Sequence, residues 1–430
     1  MGTMVGGGVF TLSGVAVDEA GPSALLSYAL AGVIMLISAL SFVAVAGRAR
    51  AGDSGFGPIS TLLGPVWRFV VMWGFYINGV TILTFLLVSF GDYLHAYFVG
   101  GLRVVSAALL ALLAIVLLNL GPVGLVGKAE AYVVGIKIAL LLVFIGYGLA
   151  ELGSVHLTPF APEGAGGVLS MTALLFTAYT GFNVVTNMAG ALKNPERTVP
   201  VAVIGSVLIS GAIYIGVVLA MLASGVQDFG AAWLGQAAKA LMGDWGSELI
   251  AFAAVLSTLS GANANVLGAN ELALRLAAQG DVPPALGRTT ASGHAVVSVL
   301  FIAAVTVLLV LFSNLNSIVA LANVGALVAM IVVNVAAFRL ARQGWPGEGL
   351  RLPGGVLIPL AGVATVLLQF PSLGWRPVAL GLALFAVGLV LYGLRHQTHF
   401  GVGVGHLHRR PAAADTPLGR ALRHHPLRRS

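Results

Sequence analysis

The chain has 430 residues, 58% of them hydrophobic and 9% charged, with a mean hydropathy of +0.98. Soluble domains carry about 25% charged residues, so a soluble enzyme, a nucleic-acid binder and a disordered chain are all excluded, and a multi-pass membrane protein is left. The net charge of +7 does not point to nucleic acid, because the basic residues punctuate apolar runs and seven of the 22 lie beyond residue 394. With no cysteine, disulfides, thiolate metal sites and cysteine nucleophiles are absent. No basic segment precedes the first apolar stretch, so no cleavable signal peptide is expected.

A helix that crosses the hydrocarbon needs about 20 apolar residues. Taken in chain order, twelve runs qualify as spans: 4–17, 23–46, 69–91, 104–121, 131–150, 168–189, 201–224, 248–272, 295–313, 317–337, 354–370 and 377–394. They are continuous and do not alternate in polarity, which excludes a β-barrel. With the N-terminus inside, 18 of the 22 Lys and Arg fall in inside segments, three fall outside, and Lys137 lies within span 5. That asymmetry predicts an all-α protein of the cell membrane with twelve transmembrane helices and both termini cytoplasmic. Residues 1–395 form the membrane domain. The tail, 396–430, holds six of the nine histidines and several arginines; it is expected to be disordered in the cytoplasm beside anionic lipid. No metal site is assigned to His406, His408, His424 and His425.

Two spans carry helix-weakening clusters. Span 1 contains Gly6-Gly7-Gly8-Val9-Phe10 followed by Ser13-Gly14, and span 6 reads Phe176-Thr177-Ala178-Tyr179-Thr180-Gly181-Phe182-Asn183. Each interior glycine costs about 1 kcal/mol against alanine, so three in a row predict local unwinding. Unwound backbone at membrane depth survives only where it is buried in protein or lines a cavity. Interrupted helices at matching places in two halves mark the substrate site of a secondary transporter. Their ends offer N–H groups to an anion and C=O groups to a cation, which suits a zwitterion. The alternative is that small residues simply let helices pack closely.

The residues around these breaks resemble the amino acid–polyamine–organocation (APC) permeases. Span 1, with Ala20-Gly21-Pro22 after it, is similar to that family's first span. Span 6, with Lys193-Asn194-Pro195-Glu196-Arg197-Thr198-Val199-Pro200 beyond it, is similar to the sixth span and its exit loop. Residues 257–269, followed by Gln279-Gly280-Asp281-Val282-Pro283, are similar to the eighth. The resemblance covers about residues 1–395. It implies two inverted five-helix repeats plus two C-terminal helices, with helices 1 and 6 broken and an α-amino acid held between them. Gly6, Gly7, Gly8 and Val9 would present backbone to the carboxylate. Carbonyls near Phe176, Ala178, Thr180 and Gly181 would take the ammonium, and Tyr179 or Phe176 would act as an aromatic lid. Asn183 replaces the glutamate of many relatives, which weakens a proton-gating role there. Met1 lies inside span 1, so the true start is expected upstream, or else the first half of that helix is missing.

Lys137 stands among apolar neighbours. Stripped of hydration, its amine can take up and release a proton, unless the side chain snorkels to the interface. Some APC members place a lysine in span 5 where sodium-coupled relatives bind an ion, so the resemblance suggests proton coupling. Ser257, Thr258 and Ser260 of span 8 are candidate sodium ligands, though hydroxyls in apolar helices often bond their own backbone. Sodium is the lesser reading because an ammonium nearby would repel it. The pocket-facing stretches contain no mid-membrane acid, so a cationic side chain would lack a partner, and a neutral amino acid is expected. Asn78, Asn263 and Asn323 offer hydrogen bonds to substrate or to other helices. Gly52-Asp53-Ser54-Gly55 has a protease-like form but no base at hand, and no nucleotide fingerprint stands in a fitting context. No cofactor, metal or catalytic residue is assigned. The rival to an alternating-access carrier of neutral amino acids, proton-coupled or exchanging, is a sensor that binds an amino acid without moving it.

Overall fold

The computed structural model describes residues 4–49, 54–120, 126–155, 157–181, 194–226, 232–290, 295–312, 314–346 and 349–400. Among the described residues every regular element is helical. Before the first loop come α1 (Gly7–Phe10), α2 (Leu12–Ala20) and α3 (Ala24–Ala46). After it come α4 (Gly57–Leu63), α5 (Pro65–Tyr97), α6 (Val104–Leu120), α7 (Val126–Ala150) and α8 (Gly164–Leu175). The rest of the chain forms α9 (Pro195–Ala223), α10 (Trp233–Met242), α11 (Asp244–Ala278), α12 (Val296–Phe312), α13 (Leu315–Arg342), α14 (Leu357–Leu367) and α15 (Trp375–Phe400).

Among the described residues, seven helical stretches are long and apolar enough to cross a membrane, the first running from Gly7 to Ala46 and so covering the first two sequence runs. Four shorter apolar ones lie at Val104–Leu120, Gly164–Tyr179, Val296–Phe312 and Leu357–Leu373. Leu110, Leu113 and Leu117 of α6 and Leu380, Val390 and Leu394 of α15 are exposed. On a soluble protein such faces would be an aggregation hazard; here they match hydrocarbon.

The centre is α5, packed along its length on α11 and α13. Lipid is as apolar as leucine, so helix association rests on close packing and internal hydrogen bonds. Gly74 of α5 and Gly325 of α13 show how close: a Cβ at Gly74 would stand 2.6 Å from the Gly325 carbonyl oxygen, and one at Gly325 2.7 Å from that of Gly74. Around this core, α9 packs on α3 and α7, and α8 packs on α3. Polar side chains tie elements together: Asn323 of α13 donates to the carbonyls of Ala173 and Leu174 at 2.9 and 3.1 Å, and Asn119 donates to Asn263 at 2.7 Å.

The residues Gln279 to Pro283 close one end of the bundle. Asp281 is fully buried there and accepts from Arg68 Nη2 at 2.9 Å, with His396 Nε2 3.8 Å from its other oxygen. Burial raises the carboxyl above its ordinary value, and the Arg68 guanidinium pulls it partly back. Base of α5, end of α11 and end of α15 thus meet at one carboxylate.

Candidate functional site

Among the described residues, regular α-helix fails in both predicted stretches. Helix α1 starts only at Gly7, behind a turn over Met4 to Gly6, with Gly6 outside helical geometry (φ −130°, ψ −136°), and Thr11 interrupts the run before α2. In the second break α8 stops at Leu175 and tightens into a 3-10 turn over Phe176–Tyr179. Thr180 is then extended and Gly181 has φ +113°, a backbone state open to glycine but strained for other residues.

The breaks touch. A Cβ at Gly8 would lie 2.9 Å from the Ala178 Cβ, and one at Gly7 2.6 Å from Leu86. Consecutive glycines in span 1 therefore have a steric reason besides unwinding: the helix starts against two neighbours with no room for side chains. As first residues of a helix, Gly7 and Gly8 also have N–H groups with no carbonyl one turn earlier in α1 to accept them.

Three buried tyrosines hold the breaks in place. Tyr214 of α9 directs its hydroxyl at the Met4 and Ala178 carbonyls, 2.6 and 2.8 Å away, one from each break. Tyr28 of α3 donates to the Gly8 carbonyl at 3.0 Å and lies 2.9 Å from the Ser13 hydroxyl. Tyr179 donates to the Tyr28 carbonyl at 3.0 Å. Their rings pack edge-on or tilted, with centroids 5.1 to 6.5 Å apart, as aromatic quadrupoles favour. Carbonyls freed by unwinding thus find donors, as buried backbone in a membrane requires.

Beside the breaks lies a cavity of about 40 Å³, room for a few waters. Its walls are Met4, Gly7 and Gly8 from span 1, Thr177, Ala178, Thr180 and Gly181 from span 6, and stretches of α5 and α11 that include Asn78, Phe85, Asn265 and Gly268. No ionisable side chain is among the residues that line it. Its polar groups are amides and hydroxyls. Asn78 donates to the Ala322 carbonyl at 2.9 Å and Asn265 to that of Gly261 at 2.8 Å, while the buried Thr177 hydroxyl has no hydrogen-bond partner.

Of the residues singled out in the sequence, Gly7, Gly8, Ala178, Thr180, Gly181 and Asn78 line this cavity together. Gly6, Val9, Phe176 and Tyr179 are buried in the breaks behind it; Tyr179 faces Tyr28 and Tyr214, so the aromatic rings on the cavity wall are those of Phe75 and Phe85. Ser257 donates to the Val5 carbonyl at 3.1 Å, and Thr258 bonds its own helix at Ala254. Lys137 is fully buried in α7 and does not snorkel to the surface. Asn183 lies outside the described residues. Sequence reasoning passed over Thr177, Phe75, Phe85, Asn265, Tyr28 and Tyr214. The tyrosines had a signal: a phenol inside an apolar span must find an acceptor, and unwound carbonyls supply one.

The sequence profile described as amino acid permease matches residues 1–352. The chain is similar to the branched-chain amino acid permease BcaP of Bacillus subtilis (strain 168), 26% identical over 93% of this chain and 91% of that protein. It is also similar to the methylthioribose transporter of the same organism, 23% identical over 92% of each chain. A third relative, the chloroplastic cationic amino acid transporter 9 of Arabidopsis thaliana, is 29% identical over 51% of this chain and 43% of that one. With the profile covering most of its length, the chain belongs to the amino acid permease family of membrane transporters and is not an enzyme.

Proposed function

We propose that the protein is a secondary active transporter of neutral α-amino acids, working in the cell membrane by alternating access. The observation that carries this reading is the uncharged cavity between the two broken helices. A zwitterion needs two opposite partial charges. The N–H groups of Gly7 and Gly8 suit its carboxylate, and the carbonyls between Phe176 and Gly181, with the Thr177 hydroxyl, suit its ammonium. The side chain would then meet Phe75, Ile82, Phe85 and Leu272, all apolar. A cationic side chain would be buried with no partner at a cost of several kcal/mol. The relatives named for branched-chain amino acids support an apolar side chain as well.

Twelve crossings, arranged as two inverted five-helix repeats plus two further helices with both termini in the cytoplasm, fit the charge asymmetry and the two breaks. In that orientation the cavity lies at the middle of α5 and in the cytoplasmic half of α11. At about 40 Å³ it is too tight for an amino acid, so Leu86, Phe85 or the breaks must shift on binding, which is the motion alternating access needs. Lys137 is the candidate for proton coupling, its burial supporting that role over a place at the interface; sodium is the lesser reading because an ammonium nearby would repel it. Replacement of Lys137 by alanine should abolish uptake driven by a pH gradient while leaving amino acid binding. Undiminished proton-driven uptake in that variant would remove the lysine from the mechanism. The reading as a whole is tested by counterflow in proteoliposomes, where labelled neutral amino acid should accumulate without any ion gradient.

A further inference from the structure

Helix α11 ends in a turn that carries Asp281 back into the bundle. Gly280, with φ +78°, lets the chain reverse. Its N–H donates to the Ala277 carbonyl at 3.0 Å and that of Asp281 to Leu276 at 2.9 Å, the paired bonds of a Schellman cap. The carboxylate so placed is fully buried. Its Oδ2 accepts from Arg68 at 2.9 Å, while Oδ1 lies 3.8 Å from His396 Nε2 and has no hydrogen-bond partner. Helix α15 brings the histidine there along an aromatic seam on α5. His396 stacks on Tyr392 at 4.0 Å, Tyr392 packs on Phe69 at 4.9 Å, and the Trp73 indole donates to the Leu384 carbonyl at 3.0 Å.

The second ring nitrogen of His396 decides what the first can do. Nδ1 lies 3.0 Å from the Tyr392 carbonyl oxygen. A carbonyl only accepts, so Nδ1 carries the hydrogen, and a neutral ring then turns the bare lone pair of Nε2 toward a carboxylate oxygen. Two acceptors facing each other repel. One added proton, on Nε2 or on Oδ1, makes the contact attractive, and closing it from 3.8 Å to bonding distance takes roughly 1 Å. The burial that raises the Asp281 carboxyl favours the same proton. The other charged and titratable groups nearby do not replace it. Arg68 from α5 is engaged with Oδ2, the Tyr392 ring lies against the imidazole, and Arg275 of α11 pairs with Glu271 at 2.8 Å. Arg395 and Arg288 are the next charges along the chain from His396 and Asp281. With 40% of its side chain exposed, His396 exchanges protons with the medium, and histidine is the residue type that changes charge between about pH 5 and 8.

We infer that Asp281 and His396 share a proton site that works as a latch: with the proton bound, α15 is fastened across the inner ends of α5 and α11, and without it the fastening opens. Those two helices also line the central cavity, and α15 stands outside the ten helices of the proposed repeats. The latch therefore ties the walls of the site to a helix that need not move with them. Acid on the inner face closes the latch and slows transport; a rise in pH releases it. The latch rests on side-chain geometry alone, and its effect on rate rests on the carrier reading.

The chain contains no cysteine, and Val282, next to Asp281, is 1% exposed, so Val282→Cys sets a single thiol behind the latch. Maleimide labelling in detergent is timed at about pH 5.5 and about pH 8, with His396 present and with His396→Gln added. Comparing the two proteins at one pH cancels the thiol's own titration. They should label alike at the higher pH, and at the lower one the protein with His396 should label at least fivefold more slowly. With His396→Arg, a permanent charge, labelling should stay slow at both. Leu276→Cys, also 1% exposed, replaces Val282→Cys should that variant not elute as a monodisperse peak. Equal labelling with and without His396→Gln at the lower pH would overturn the latch. Counterflow of L-leucine in proteoliposomes buffered alike on both sides is measured in parallel. The unmodified protein should slow at least threefold between the higher and the lower pH, and His396→Gln should not. An equal fall in both proteins would overturn the control of transport. Absence of counterflow at either pH, with the labelling difference intact, would overturn the carrier reading and keep the proton site.

Discussion

Tyr214 shows how much of the site depends on single atoms. One phenol hydroxyl faces two carbonyls, those of Met4 and Ala178, and its ring is fully buried. Tyr214→Phe keeps the ring and removes the donor, leaving two buried acceptors unserved at a cost of about 1–3 kcal/mol. One carbonyl belongs to the break that would hold the carboxylate and the other to the break that would hold the ammonium, so amino acid binding should weaken about tenfold while the protein still purifies as a folded species. Equilibrium binding with a size-exclusion control checks this; unchanged affinity would detach the tyrosine from the site. A second prediction concerns Asp281. Its carboxyl is raised by burial above its ordinary value, with Arg68 opposing, so the folded state binds the proton more tightly than the unfolded state does. The stability tied to this proton is present at acid pH and is lost as pH rises through the folded value. Against Asp281→Asn, the natural protein should therefore gain thermal stability as pH falls from neutral toward the ordinary carboxylate range near 3.8. Parallel melting profiles would contradict it.

The two breaks were legible as elements because glycine runs and a mixed polar cluster are costly in apolar helices and stand out there. Their depth of contact was not legible. That Gly8 abuts Ala178, and Gly7 abuts Leu86, depends on how α1 sits against α5 and the 3-10 turn, which no local pattern encodes. The same limit applies to Tyr179. Its position in the break made it a natural lid, yet the turn over Phe176–Tyr179 points it at Tyr28 and Tyr214, and Phe75 and Phe85 of a different helix line the cavity instead. Close packing also decides the core. Gly74→Ala would place a methyl 2.6 Å from the Gly325 carbonyl, nearer than real Cβ atoms come, and would push α5 off α13. We expect it to lower the melting temperature in detergent through overpacking of about 1–3 kcal/mol. Alanine at Gly268, whose Cβ position is open and where alanine only gains helix propensity, should cost nothing; an equal loss there would show that the effect is not specific to the α5–α13 contact.

At the scale of the molecule, composition excluded the soluble classes and the order of three motifs pointed to the permease family, which the profile over residues 1–352 bears out. Length and hydropathy alone identify fewer crossings: several helices of this bundle are too short or too interrupted to qualify by themselves, and the irregular stretch that shortens span 6 lies at the proposed site. A transporter thus spends helical regularity where it needs backbone for binding. The central claim is that the uncharged cavity between the breaks carries a neutral amino acid across the membrane. Counterflow in proteoliposomes preloaded with unlabelled neutral amino acids tests it most directly. The account predicts that a labelled neutral amino acid accumulates with no ion gradient, and that external arginine or lysine competes at least about a hundredfold less well, as an unpaired buried charge requires. Accumulation driven as well by arginine, or none with any neutral amino acid, would contradict it.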